Sequence, residues 1–131
     1  MANPQRPLSP HLQVYRWQVQ MVTSILHRAT GIVLAFGALG IAWGLLALAG
    51  GRESWAAFAH CAGSPFGMIV LFGWAWAFSF HLINGIRHLV QDAGYDYAIP
   101  QFVRNSWISI VGSLVLVAVI FACAFMKGGA A

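Results

Sequence analysis

Residues 65–92 read PFGMIVLFGWAWAFSFHLINGIRHLVQD. The first part holds no charge and almost nothing polar, whereas the part from His81 to Asp92 brings in two histidines and an arginine, with Gly85 between the histidines. Roughly 20 apolar residues, at 1.5 Å rise each, carry a helix across about 30 Å of hydrocarbon, so an uncharged run of this length predicts a membrane-spanning helix. The imidazoles at its end then need an explanation, because lipid cannot satisfy them.

The rest of the chain agrees with that choice of solvent. Three windows lack Asp, Glu, Lys and Arg altogether: Ala29 to Gly51, Cys61 to Ile86, and Trp107 to Met126. Of 131 residues, 60% are hydrophobic and 8% are charged, against about 25% charged in a soluble domain. A chain this poor in polar residues cannot cover a soluble core. Strands of an outer-membrane barrel would show a period of two, and these runs are continuous. The sequence therefore predicts an all-α membrane protein with three transmembrane helices near 27–49, 65–89 and 107–126. They form one domain, 24–131, behind an N-terminal segment, 1–23. No internal repeat or low-complexity tract divides it.

In the N-terminal segment, Pro4, Pro7 and Pro10 oppose regular helix, and Tyr15 and Trp17 suit the headgroup layer, so an interfacial position is expected. It lacks the compact basic stretch, short apolar run and small-residue cleavage site of a secretory signal, and is expected to stay in the mature protein. GRESWAAFAH (51–60) and QDAGYDYAIPQFVRN (91–105) are read as connections. Arg6, Arg16, Arg28, Arg87 and Arg104 fall toward one side of the membrane, and Arg52 and Lys127 toward the other. The positive-inside rule then puts the N-terminus and the second connection on the inner, cytoplasmic side. Without an Arg-rich, Ser-rich transit segment, a bacterial inner membrane is the expected location. The net charge of +4 is accounted for by this topology; a nucleic-acid surface would need a dense basic stripe, which is absent. Cys61 and Cys123 form no CxxC pair, and Cys123 reads as a small packing residue within an apolar helix.

On a helix, His81, Gly85 and His88 are spaced i, i+4, i+7 and share a face. Six residues separate His81 from Arg87, which places His81 about 9 Å deeper, within the inner half of the bilayer. An imidazole at that depth must face protein, another polar group or a metal. Two readings stand: His81 hydrogen-bonds a neighbouring helix while Gly85 permits close packing, or His81 is an axial ligand to heme iron. Spacing does not choose between them, and a second axial histidine would have to come from a partner chain.

A second cluster lies at the inner end of the first span, where Ser24, His27, Arg28 and Gly31 share a helical face. A hydroxyl, an imidazole and a permanent cation at the membrane boundary can bind carbonyl oxygens or carboxylates such as heme propionates. The alternative is that Arg28 snorkels to lipid phosphate and Ser24 caps the helix. The first span starts on the inner side and the second returns to it, so both clusters fall at one depth and suggest a shared site.

Three motifs, RPLSPHLQVYR (Arg6 to Arg16), SILHRATG (Ser24 to Gly31) and HLINGIRHLVQD (His81 to Asp92), occur in the order of a known family. The chain resembles the cytochrome b subunit, or large membrane anchor, of succinate dehydrogenase, the succinate:quinone oxidoreductase of respiratory complex II. The resemblance covers essentially the whole chain, with the third span matching only in apolar character. It implies half of a heme-binding bundle completed by a second small anchor subunit, alongside a flavoprotein and an iron–sulfur subunit. It also implies one heme b, shared with that second anchor, and quinone, ubiquinone by expectation, as substrate.

By position, the resemblance implies quinone binding by Ser24 and Arg28, iron ligation by His81, and contacts to heme from His27, Arg28 and His88. Asp92 resembles an acidic residue near the quinone region and receives no role. Many members carry Trp before that aspartate where this chain has Gln91, a departure that touches local packing and leaves the histidine motif intact. The chain has no dinucleotide fingerprint and no cysteine cluster, so flavin and iron–sulfur chemistry belong to partners. Two other functions stay open at this point: an anchor of a quinol:fumarate reductase, and a heme-binding scaffold without quinone chemistry.

Overall fold

The computed structural model describes residues 14–128. Within them the chain forms α1 (Val19–Ala49), α2 (Arg52–Gly63), α3 (Pro65–Asp92) and α4 (Ile99–Gly128). α1, α3 and α4 are long and apolar enough to cross a membrane. The expected all-α fold with three spanning helices is therefore the observed one, and the described residues contain no strand.

Burial is inverted relative to a water-soluble protein. The side chains removed from the surface are mostly polar: Thr23, Thr30, Ser79, Asn84, Arg87, Gln91, Ser106, Ser109 and Ser113. Apolar side chains such as Leu46, Phe66 and Ile69 stand outward, each more than 70% exposed. Lipid tails solvate Leu and Phe as well as a protein core does, but leave hydroxyls and amides unsatisfied, so the polar residues turn inward.

The α3–α4 contact follows from this. Ser106, Ser109, Ser113 and Val117 are the buried residues of α4 and form one stripe of it. Their hydroxyls are satisfied within the helix: Ser106 donates to the Phe102 carbonyl at 2.9 Å, Ser109 to Asn105 at 3.1 Å and Ser113 to Ile110 at 2.7 Å. Small, self-satisfied side chains let the backbones approach closely, which is the main source of helix association in lipid. Gly112 belongs to the same contact, with Ile83 Cδ1 3.3 Å from where its Cβ would stand.

Three boundaries differ from the sequence expectation. α1 begins at Val19, ahead of the expected start near 27, while most of segment 1–23 lies outside the described residues. The first connection is helical: after Gly51 turns the chain at φ 95°, a conformation glycine alone adopts cheaply, α2 runs back under α1. Trp43 of α1 meets Phe58 of α2 edge-on at 4.9 Å, and Gly44 makes room for the Phe58 ring. Here aromatic packing against α1 supports a helix whose composition had suggested a loop. α3 then starts sharply, with Ser64 Oγ accepting from the Gly67 amide at 3.1 Å and Pro65 in the first turn. The second connection shortens to 93–98, because α4 extends back through Pro100 to Ile99. Pro is tolerated in a first helical turn, where the missing amide has no partner to lose. In that tight connection Asp96 takes φ 60°, and its carboxylate accepts from Asn105 Nδ2 at 3.0 Å. Cys61 and Cys123 are both free and exposed.

Because the three long helices alternate in direction, the start of α1, the end of α3 and the start of α4 lie at one end of the bundle. That end carries Arg28, Arg87 and Arg104, with His27 and His88.

Candidate functional site

Between α1 and α3 a cleft of about 440 Å³ is lined by His27, His81, Leu82, Gly85, Ile86, His88 and Leu89. The face expected from spacing, His81, Gly85 and His88, forms one wall, and His27 crosses from α1 to join it. The rings of His27 and His81 stack with centroids 3.9 Å apart and planes within 9°. His88 lies 5.1 Å from His27 with its ring tilted by 55°.

α1 holds His81 in place through polar contacts. His81 Nδ1 lies 3.1 Å from the His27 carbonyl oxygen and 3.2 Å from Thr30 Oγ1. A carbonyl only accepts, so Nδ1 carries a proton, and the neutral ring then has its lone pair on Nε2. Thr30 Oγ1 is also 2.8 Å from the Leu26 carbonyl and 3.0 Å from that of His27, the back-bonding geometry of a helical threonine. The approach is close because position 31 is glycine: a Cβ there would stand 3.1 Å from His81 Cε1. Gly85 is less constrained, since only His27 Cε1, at 3.7 Å, nears its Cβ position. His27 Nδ1 is buried and has no hydrogen-bond partner among the described residues.

Ser24 and Arg28 do not line this cleft. Ser24, one turn before His27, is half-buried, and Arg28, next to His27 in the chain, is exposed on the surface of α1. The expected grouping of Ser24, His27, Arg28 and Gly31 holds on the helix, and of the four it is His27 and Gly31 that come up against His81 of α3.

Arg87, which the sequence placed only toward the inner end of the second span, proves to be buried, 7% exposed. Its Nη1 donates to Asn84 Oδ1 at 2.8 Å and to Thr23 Oγ1 at 3.3 Å, and its guanidinium lies 4.4 Å from the centre of the Phe102 ring. It thereby ties α1, α3 and α4 together with hydrogen bonds and a cation–π contact. On its other side a smaller cavity of about 180 Å³ lies between α3 and α4, bordered by Arg87, Asp96, Asn105 and Ser109. Thr23, Thr30 and Asn84 were also missed; the available signal was a polar residue recurring at helical spacing inside an apolar span.

The fold and cleft define a helical membrane subunit with a histidine cluster between two of its spans. The chain belongs to the succinate dehydrogenase/fumarate reductase transmembrane subunit family, whose model matches residues 2–120. The succinate dehydrogenase cytochrome b556 subunit of Paracoccus denitrificans is 44% identical over 111 residues, 85% of each chain. That of Rickettsia felis is 37% identical over 111 residues, 85% of this chain and 86% of the relative. The mitochondrial succinate dehydrogenase cytochrome b560 subunit of Mus musculus is 39% identical over 113 residues, 85% of this chain and 64% of the relative.

Proposed function

We propose that this chain is the cytochrome b membrane anchor of a succinate dehydrogenase, binding heme b through His81 Nε2 and contributing Ser24 and Arg28 to a quinone-reduction site. The observation that carries the reading is the engagement of His81 Nδ1 by the His27 carbonyl at 3.1 Å beside an open cleft. A histidine that ligates iron through one nitrogen characteristically donates the other nitrogen's proton to a carbonyl or carboxylate.

The residues present fit a heme. Gly85, one turn from His81, leaves room for a flat macrocycle, and the unpartnered His27 Nδ1 is suited to a propionate oxygen. Arg28 and His88 offer further donors at the same end of the bundle. The cleft is lined by α1 and α3 alone, so in this reading His81, His27 and His88 would hold the group from one side and a second small anchor subunit would complete the site. When bound, heme would supply a reversible one-electron centre.

The quinone takes up two electrons, delivered from succinate through a flavoprotein and an iron–sulfur subunit, and two protons from the inner side. In this assignment Ser24 donates a hydrogen bond to a quinone carbonyl, and Arg28 stabilises negative charge as it develops on that oxygen. Ser24 is half-buried and Arg28 exposed, so in this reading partner subunits complete their surroundings. The excess of arginine at that end supports an inner, cytoplasmic position for the N-terminus, in the bacterial inner membrane.

The test is purification in mild detergent, mass spectrometry of the co-purifying subunits, and a reduced-minus-oxidised spectrum. A flavoprotein, an iron–sulfur protein, a second small anchor and a b-type band are expected. A preparation lacking those subunits and that band contradicts the reading. Assay in both directions separates succinate oxidation from fumarate reduction, and insensitivity to quinone-site inhibitors would reduce the chain to a heme scaffold.

A further inference from the structure

We infer that Thr30 is a positioning residue that tunes the iron ligand His81, acting with the His27 carbonyl as a shared acceptor for the His81 Nδ1 proton. The inference rests on the heme reading above and adds a residue and a direction of effect to it.

Three observations carry it. First, the Nδ1 proton has two acceptors, both on α1: the His27 carbonyl at 3.1 Å and Thr30 Oγ1 at 3.2 Å. Second, Thr30 has a single hydroxyl proton, and its shortest contact is to the Leu26 carbonyl at 2.8 Å. With the proton directed there, a lone pair is free to face Nδ1, so the hydroxyl acts toward His81 as acceptor. Third, Thr30 is only 3% exposed, and its neighbour Gly31 is what allows the imidazole to come this close, with 3.1 Å between His81 Cε1 and the place of a Cβ. Threonine and glycine in succession thus supply an acceptor and the space to reach it.

The chemical consequence concerns the electron density on Nε2. Acceptors on Nδ1–H draw its proton outward and make the ring a stronger donor through its other nitrogen, and such outer partners also fix ring orientation. A stronger axial donor favours ferric over ferrous iron. Removing the Thr30 acceptor therefore shifts the equilibrium toward the reduced form and raises the midpoint potential. The His27 carbonyl remains, so heme should still be held.

The experiment is a redox titration, ferric low-temperature electron paramagnetic resonance and heme quantitation on the purified complex, for wild type, Thr30→Val, Thr30→Ala and Thr30→Ser. Val keeps the shape and removes the oxygen; Ala removes bulk as well, so a yield of either serves if the other fails to assemble. The expected result is retained heme in Val and Ala with a higher potential and altered resonance positions. A shift of up to about tenfold in the ferric-to-ferrous ratio corresponds to about 59 mV for one electron. Ser should return both signals to wild type. Unchanged potential and resonance positions in Val and Ala, with heme present, overturn the role of Thr30 while leaving His81 as ligand. A His81→Ala complex with undiminished heme and an unaltered spectrum overturns the underlying heme assignment, and Thr30 with it.

Discussion

The imidazoles of His27 and His81 lie parallel, 3.9 Å apart, although they come from different helices and stand 54 positions apart in the chain. The same pair is joined a second way, by the His81 Nδ1 proton on the His27 backbone carbonyl. α1 therefore orients the histidine of α3 through both a ring face and a peptide group.

His81→Ala is expected to abolish or strongly weaken heme binding while the three spans still insert. Heme content and the reduced-minus-oxidised spectrum of membranes measure the first, and membrane extraction the second. Some loss of assembly should accompany it, because a cleft left unfilled beside α1 and α3 removes packing contacts.

Gly31→Ala should disturb His81 where Gly40→Ala does not. The new methyl at 31 would press on His81 Cε1 at 3.1 Å, whereas nothing lies within 4 Å of the Cβ position at 40. Overpacking of this kind costs about 1–3 kcal/mol, while Ala in place of Gly in an exposed helix is favourable by roughly 1 kcal/mol. Lower heme occupancy in the first variant and unchanged occupancy with equal or higher thermal stability in the second are the expected results.

Ser24→Ala should leave heme and dye-linked succinate oxidation largely intact and lower quinone reduction several-fold, consistent with a neutral hydrogen bond worth about 0.5–1.5 kcal/mol. Arg28→Leu should cost more, since charge-assisted contacts are roughly twice as strong. Arg28→Lys keeps the charge and loses the planar fork, and so should recover part of the activity. A parallel fall of dye and quinone activities in every variant would place the effect on assembly instead.

Arg87→Leu is expected to destabilise the bundle by about 1–3 kcal/mol, because Asn84 Oδ1 loses its buried donor and Phe102 its cation. Denaturant titration of the purified complex in detergent measures this. Arg87→Lys should recover only part, as one ammonium cannot bond Asn84 and Thr23 while stacking on Phe102 as the guanidinium does.

Much of this molecule is written in composition and spacing. Uncharged runs determined the membrane helices, since hydrocarbon thickness fixes their length. The 3.6-residue period put His81, Gly85 and His88 on one face before any tertiary contact was considered. The sequence also brought the two polar clusters to a common depth, because helices that alternate in direction return basic ends to one side.

Only the tertiary structure decided how the helices meet. Rotation of α1 about its axis turned His27, Thr30 and Gly31 toward α3 and left Arg28 outside; periodicity gives relative angles on one helix and says nothing of which angle faces a neighbour. The sequence placed Arg87 only toward the inner end of the second span, yet Asn84, Thr23 and Phe102 gather around it from three helices. α2 was hidden for a related reason: Phe58 finds Trp43 and the space at Gly44 only once the chain folds back. Position along a span is a property of one segment in its solvent, and so can be read locally, whereas polar satisfaction in lipid is settled among segments and emerges only when they pack.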